Sequence, residues 1–282
     1  MIKILVDTAS DIDKIEAENL GIDIVPMLIT FGKEEFLDGI NLTHTEFFEK
    51  LIESNEFPKT SQINEFTFEE KFKELTNNGD QVICITISSK LSGTFNNAKK
   101  ASKNFPNAVY VVDSMNACIG ERVLVQLAMK LIKENKPIET IIETLEKEKN
   151  NICVLAVLDT LKYLKKGGRI SPLVAFAGEL FSVKPVISIV GGEVKLIGKA
   201  IGSKNGNNLL CQLINKSNGI NFDMPYCVGY SGLSDLNLKK YLKDSENIWK
   251  SHTDNVPVFM IGSTIGTHAG PGAIAVSFFK NE

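Results

Sequence analysis

The stretch Ile85-Thr-Ile-Ser-Ser-Lys-Leu-Ser-Gly-Thr-Phe-Asn-Asn-Ala-Lys-Lys-Ala101 decides the fold. Gln81 to Ile87 is a short β-branched apolar run, the pattern of a buried strand. Ser88, Ser89, Lys90, Ser92, Gly93 and Thr94 follow as small, polar or flexible positions, and then Phe95, Ala98 and Ala101 recur at helical spacing. A strand, a hydroxyl-rich turn and a helix start gather O–H donors and unpaired backbone amides around one point. The positive end of the helix dipole adds to them, so an anion is favoured there. Gly93 has no Cβ and lets a ligand approach the backbone closely. The plainer alternative is that Ser92 or Thr94 only caps its own helix. The turn alone does not choose between these readings; its surroundings in the chain must.

Strands and helices alternate on both sides of this stretch. Ile2 to Val6 reads as a strand, Asp7-Thr-Ala-Ser-Asp11 as a second polar turn, and Asp13 to Asn19 as a helix. Asp23 to Phe31 reads as a strand. Thr43 and Glu46 form a capping box that opens a helix to Ser54. Pro58-Lys-Thr-Ser-Gln62 is a third polar loop, followed by a helix from Asn64 to Leu75. Beyond helix 94–104 come a strand at Ala108 to Val112, a helix from Ala117 to Asn135, a further helix opened by Pro137, and an apolar strand at Ile152 to Leu158. Such alternation predicts a parallel sheet covered on both faces, with ligands beyond the carboxyl ends of its strands. The turns at 7–11 and 88–94 fall on that rim.

The pattern changes near residue 160. Leu161 to Lys166 reads as a short helix ended by Gly167, and Ser171-Pro172 caps a largely uncharged helix from Leu173 to Phe181. Lys184 to Val190 and Glu193 to Gly198 form a hairpin about Gly191-Gly192. Helix 203–216, strand 226–230, helix 234–247 and strands at 256–261 and 273–279 complete a mixed half. The expected fold class is therefore α/β: an N-terminal, parallel-sheet, Rossmann-like domain over residues 1–160 and a mixed α+β domain over residues 161–282.

Composition narrows the function. A 282-residue chain with 43% apolar and 23% charged residues fits a globular protein with a full core. A net charge of −3 with interspersed signs gives no electrostatic footprint for nucleic acid. Met1 to Val6 leads directly into a strand without a secretory pattern, and no apolar run is long enough to span a bilayer, so a cytoplasmic location is expected. Cys84, Cys118, Cys153, Cys211 and Cys227 are far apart, and His44, His252 and His268 share no ligand spacing with them. They read as core thiols and isolated imidazoles, so no metal is expected.

No nucleophile elbow, Walker A loop, dinucleotide fingerprint or zincin motif occurs. A nucleophilic set can be composed from Ser92, His268 and Asp113, which leaves a hydrolase or phosphotransferase acting on a small anion as the alternative. Binding is favoured over attack. An amphiphilic carboxylate needs several strong donors when it leaves water, and its tail needs an apolar slot. Burying about fourteen methylenes at about 0.8 kcal/mol each contributes roughly 11 kcal/mol gross. Val174, Phe176 and Phe181 are candidates to line such a slot, although each, taken singly, suits an ordinary core better.

Six motifs occur in order: Val6-Asp-Thr-Ala-Ser-Asp11, Lys59-Thr-Ser-Gln62, Ile87-Ser-Ser-Lys-Leu-Ser-Gly-Thr-Phe-Asn-Asn-Ala98, Val111-Val-Asp-Ser114, Tyr163-Leu-Lys-Lys-Gly-Gly-Arg-Ile-Ser171 and His268-Ala-Gly-Pro-Gly272. Together they resemble the DegV family of bacterial fatty-acid-binding proteins over nearly the whole chain. The resemblance implies one long-chain fatty acid buried between two domains, no other cofactor, and no catalysis by the isolated chain. It implies a FakB-type subunit that presents the acyl carboxylate to a separate fatty acid kinase. By motif the carboxylate falls to Thr60, Ser61 and Ser92, to the amides of Gly93 and Thr94, and to His268, with Arg169 at the head-group end. Two positions depart from the family pattern. Ile63 stands where proline usually follows Thr-Ser-Gln, and Ile201 stands where kinase-linked members tend to carry arginine, with Lys199 and Lys204 close by.

Overall fold

The apolar runs at Ile2–Asp7 (β1), Asp23–Val25 (β2), Gln81–Thr86 (β6) and Val109–Asp113 (β7) associate as a parallel sheet in the order β2-β1-β6-β7. The computed structural model in which they are seen describes residues 1–170 and 183–281. Central β6 pairs with β1 through Val6↔Ile85 and with β7 through Ile85↔Val112, and its Val82 to Thr86 are all buried. A strand covered on both faces has no polar alternation to show, which is why its sequence reads as a continuous run.

Helices α3 (Glu65–Thr76) and α4 (Thr94–Ala101) cover one face with Phe68, Phe72, Ala98 and Ala101. On the other face lies α5 (Ile119–Lys133), followed by α6 (Ile138–Glu148). The first turns of α5, from Ile119 to Val125, are buried all round because the helix is clamped between two sheets. Even Arg122 is enclosed; its guanidinium bonds Glu16 and the Asp11 carbonyl and lies 3.8 Å over the Phe259 ring.

The second sheet has six strands in the order β10-β9-β8-β13-β11-β12. These are Glu193–Ile201 (β10), Val183–Val190 (β9), Ile152–Val157 (β8), Ile274–Phe279 (β13), Tyr226–Tyr230 (β11) and Val258–Met260 (β12). Its outer face is closed by α8 (Ser203–Lys216), α9 (Leu236–Asp244) and α10 (Glu246–Trp249), through Leu210, Ile214, Leu238, Tyr241 and Trp249. The hairpin about Gly191-Gly192 and the helix over 203–216 agree with the sequence reading.

Three elements depart from that reading. β8 does not extend the parallel sheet: it pairs antiparallel with β13 and β9, through Ala156↔Ala275 and Ala156↔Ile187. An unbroken apolar strand is compatible with either sheet, and its partners lie far along the chain. The single strand expected over Asp23 to Phe31 is cut at Pro26. Its second part, Leu28–Phe31 (β3), joins Glu34–Leu37 (β4) and Lys59–Ser61 (β5) in a separate antiparallel sheet of order β4-β3-β5. That small sheet packs on α2 (His44–Glu53) through Ile29, Phe31, Phe47 and Phe48, and the capping box of Thr43 and Glu46 forms as the sequence suggests. Third, the segment between β12 and β13 contains a helix, α11 (Ser263–Ala269), that the sequence reading does not anticipate. The short helix expected after Leu161 is present as α7 (Lys162–Lys166), whereas the helix expected over Leu173 to Phe181 lies outside the described residues.

Candidate functional site

A cleft of about 920 Å³, counting its mouth, runs between the sheets. Its long walls are aliphatic: Ile87 and Leu91 from the turn after β6, Ala117 and Cys118 at the start of α5, Val154 and Ala156 on β8, Ile187 and Ile189 on β9, and Ala273 and Ala275 near β13. At one end the lining turns polar, with Thr60, Ser61, Gln62, Ser92, Arg169 and His268. Ser188 on β9 and Thr264 on α11 are the other polar residues of the lining, so the cleft is largely oily along its length with most of its hydrogen-bonding groups gathered at one end.

Each polar group is placed by a different element. β5 carries Thr60 opposite Ile29 and Ser61 opposite Leu28, so the polar loop of the sequence is an edge strand. α11 carries His268, whose Nε2 lies 3.0 Å from the Thr60 hydroxyl, although 208 residues separate them in the chain. Burial pushes the imidazole down to about 4, and the Arg169 guanidinium adds to the shift, so the ring is neutral at physiological pH. Its Nδ1 is buried without a hydrogen-bond partner and abuts Gly167, where a Cβ would stand only 2.1 Å away. Glycine at 167 is therefore required by close approach of the ring. Arg169 is exposed at the mouth, donating through Nε to the Leu91 carbonyl at 3.3 Å and through Nη1 to the Gly167 carbonyl at 2.7 Å. The first of those bonds ties the Gly-Gly-Arg turn to the Ser-rich turn, and the second closes the Gly-Gly-Arg turn on itself.

Within the Ser-rich turn two expected contacts have other work. Thr94 is fully buried and does not line the cleft: its hydroxyl lies 2.9 Å from that of Ser92 and accepts the Ile63 amide at 3.3 Å, while its own amide points to Ser92 Oγ. Gly93 also stands off the cleft wall, and a Cβ there would lie 1.8 Å from Gln62 Oε1. Its role is to seat the Gln62 side chain. The Ile63 amide explains one departure from the family pattern, because a proline at this position has no N–H for Thr94. Ser92 itself faces the cleft, half-buried.

Thr60, Ser61, Ser92, Arg169 and His268 are thus brought together. Val174, Phe176 and Phe181 lie outside the described residues, and the aliphatic wall seen here comes from both halves of the chain instead. The set Ser92, His268 and Asp113 is not assembled as a relay. The Asp113 carboxylate accepts from the Ser89 and Met115 amides, and the imidazole bonds Thr60. No cluster of three metal-ligating side chains occurs among the described residues, and no helix among them is long and apolar enough to cross a membrane.

Fold and site define a class: α/β chains in which one helix is clamped between two larger sheets, a small third sheet joins them, and a largely aliphatic cleft is polar at one end. The chain belongs to the DegV family, whose model, described as one of uncharacterised proteins, matches residues 1–281. A DegV domain-containing protein of Clostridium perfringens is 32% identical, over 98% of this chain and 96% of the relative; one from Caldanaerobacter subterraneus is 31% identical over 98% of each. Among solved structures, a DegV family protein of Thermus thermophilus described for its fatty acid binding superposes with a TM-score of 0.88 at 28% identity over 99% of both chains. A stearic-acid-binding protein of Eubacterium ventriosum gives 0.86 at 26% identity over 99% of this chain and 98% of its own. DegV of Bacillus subtilis, described as a fatty acid binding protein, gives 0.84 at 29% identity over 99% of both chains.

Proposed function

We propose that this protein binds one long-chain fatty acid, with the acyl chain in the aliphatic cleft and the carboxylate against Thr60, Ser61, Ser92, His268 and Arg169. The observation that carries the reading is the gathering of most polar lining residues at one end of a largely aliphatic cleft. The fatty-acid-binding relatives from Thermus thermophilus, Eubacterium ventriosum and Bacillus subtilis support it.

The chemistry divides between tail and head. Burial of about fourteen methylenes contributes roughly 11 kcal/mol gross, from which association and ordering subtract several. The carboxylate, losing water, needs replacement donors. A neutral His268 with hydrogen on Nε2 donates to Thr60 Oγ1 and leaves the Thr60 O–H free to donate to the ligand. Ser61, Ser92 and the Arg169 guanidinium complete the set at the mouth.

In this reading the protein is a carrier in the cytoplasm and the FakB-type partner of a separate fatty acid kinase, with no turnover of its own. Ile201 is 70% exposed at the end of β10, and the exposed Lys199 and Lys204 flank it as the cations available to a partner. Delipidated protein titrated with stearate should saturate at one per chain. Addition of a fatty acid kinase and ATP should then yield an acyl phosphate that hydroxylamine traps. Absence of stearate uptake removes the binding reading, whereas uptake without trapped product removes only the partnership.

A further inference from the structure

The short helix that carries His268 does not hold itself in place. α11 spans only Ser263–Ala269, too short to persist alone, and no side chain of its own caps it. Its start is instead grasped by two carboxylates from the opposite end of the chain. Asp38 Oδ1 accepts from the Ser263 amide at 3.2 Å, and Oδ2 accepts from the Thr264 amide at 3.0 Å and the Thr264 hydroxyl at 2.6 Å. Asp11 Oδ1 accepts from the Gly262 amide at 2.8 Å. Asp38 is fully buried and Asp11 nearly so.

Asp38 is itself fixed: its amide donates to the Met27 carbonyl at 3.0 Å, beside β3, and it bridges to Leu42 at the entry to α2. From α2, Phe47 and Phe48 press on Gly266, where a Cβ would lie 2.7 Å from one ring and 2.8 Å from the other. Thr264 and His268 are four residues apart, hence on one face of the helix, and both line the cleft. The rotation and height of α11 therefore set where the imidazole meets Thr60. We infer that Asp38, with Asp11 beside it, is a positioning residue for the head-group end of the cleft: its carboxylate locks α11 so that His268 faces Thr60. This rests on the fatty-acid reading for its ligand, though not for its geometry. It also gives a role to Asp11, ahead of α1 (Lys14–Leu20), in the Asp7–Asp11 motif, none of whose residues lines the cleft itself.

The test compares stearate affinity with the imidazole ¹⁵N resonances of His268, one of three histidines in the chain. Asp38→Asn sets an amide N–H against the Thr264 donors. It should weaken stearate binding by about tenfold or more, equivalent to one strong hydrogen bond, and displace the His268 resonances. Thr264→Val, which removes a single bond to Asp38, should move both readouts in the same direction, and Thr264→Ser should restore them. Ser245→Ala removes a buried hydroxyl that accepts from Trp249 Nε1 at 2.9 Å on the outer face of the second sheet, and should lower the melting temperature while leaving both readouts unchanged. The inference is overturned if Thr264→Val and any folded Asp38→Asn keep wild-type stearate affinity and unmoved His268 resonances, or if Ser245→Ala shifts them equally. Should the wild type take up no stearate, the proposed function falls, and the His268 resonances of the same variants still decide the positioning role.

Discussion

Gly167→Ala isolates the head-group end of the cleft from its tail. Gly167 caps α7 with φ −74° and ψ −10°, a conformation open to alanine, so the backbone bears no strain. The added Cβ, however, would stand 2.1 Å from His268 Nδ1 and 2.7 Å from Cε1. To reach ordinary contact at 3.4 Å the ring has to retreat by about 1.3 Å. Its other edge is held 3.0 Å from Thr60 Oγ1, so that hydrogen bond does not survive the movement. Loss of the bond costs the free protein about 0.5–1.5 kcal/mol. The Thr60 hydroxyl, no longer oriented by the ring, ceases to donate to the bound carboxylate, which costs about 1.5–3 kcal/mol, a factor of roughly 10 to 150 in Kd. The aliphatic walls are untouched. Isothermal titration with myristate, palmitate and stearate should therefore give two parallel lines of binding energy against chain length, wild type and variant, each rising by up to about 0.8 kcal/mol per methylene and separated by a constant offset. Coincident lines would refute the placing of the carboxylate at His268. Lines of different slope would refute the division of the cleft into polar tip and apolar body.

Other consequences are open to direct checks. Ser92→Ala removes a hydroxyl that faces the cleft and should weaken stearate binding roughly tenfold; unchanged affinity takes Ser92 out of the site. Ile63→Pro removes the amide that bonds Thr94 Oγ1 at 3.3 Å and should lower unfolding free energy by about 1 kcal/mol in urea melts, whereas an unaltered midpoint would show that the bond contributes nothing. Burial raises the Asp7 carboxyl from 3.8 to about 7, against the Ile87 and Ala9 amides that favour its ionised form. Between these values the folded chain keeps a proton that the unfolded chain has released, so this residue's contribution falls as pH rises from about 4 to 7. His268 acts in the opposite sense: with its folded value near 4 against 6.5, its contribution is present above 6.5 and lost as pH drops toward 4. The stability difference between wild type and Asp7→Asn should accordingly decline with rising pH across that window, and a flat difference would contradict the assignment.

The sequence carried the strand–turn–helix at 81–101, because its cause is local: a β-branched run, a cluster of hydroxyls and apolar residues at helical spacing. It carried Ser92 through the hydroxyl-rich turn and Thr60 and Ser61 as a polar loop, but it joined them to Arg169 and His268 only through the family pattern, since nothing local links residues that meet across 208 positions. Pro26 was a readable break, and taking it at face value would have separated β2 from β3. The reassignment of β8 was not readable, because a strand covered on both faces has no alternation to reveal its partners. Gly93 shows the limit of inference from residue type: the absence of Cβ was legible, but the group that occupies the space, Gln62, was not. Asp38 had no local signal either, since its carboxylate caps a helix that begins 225 residues later.

The most direct test is the identity of what leaves the purified protein when it is denatured. Mass spectrometry of an organic extract, with the protein quantified in the same sample, should find a long-chain fatty acid at about one per chain, as one largely aliphatic cleft with one polar end requires. Repeated extracts without fatty acid, from protein that also fails to take up added stearate, would contradict the account at its root.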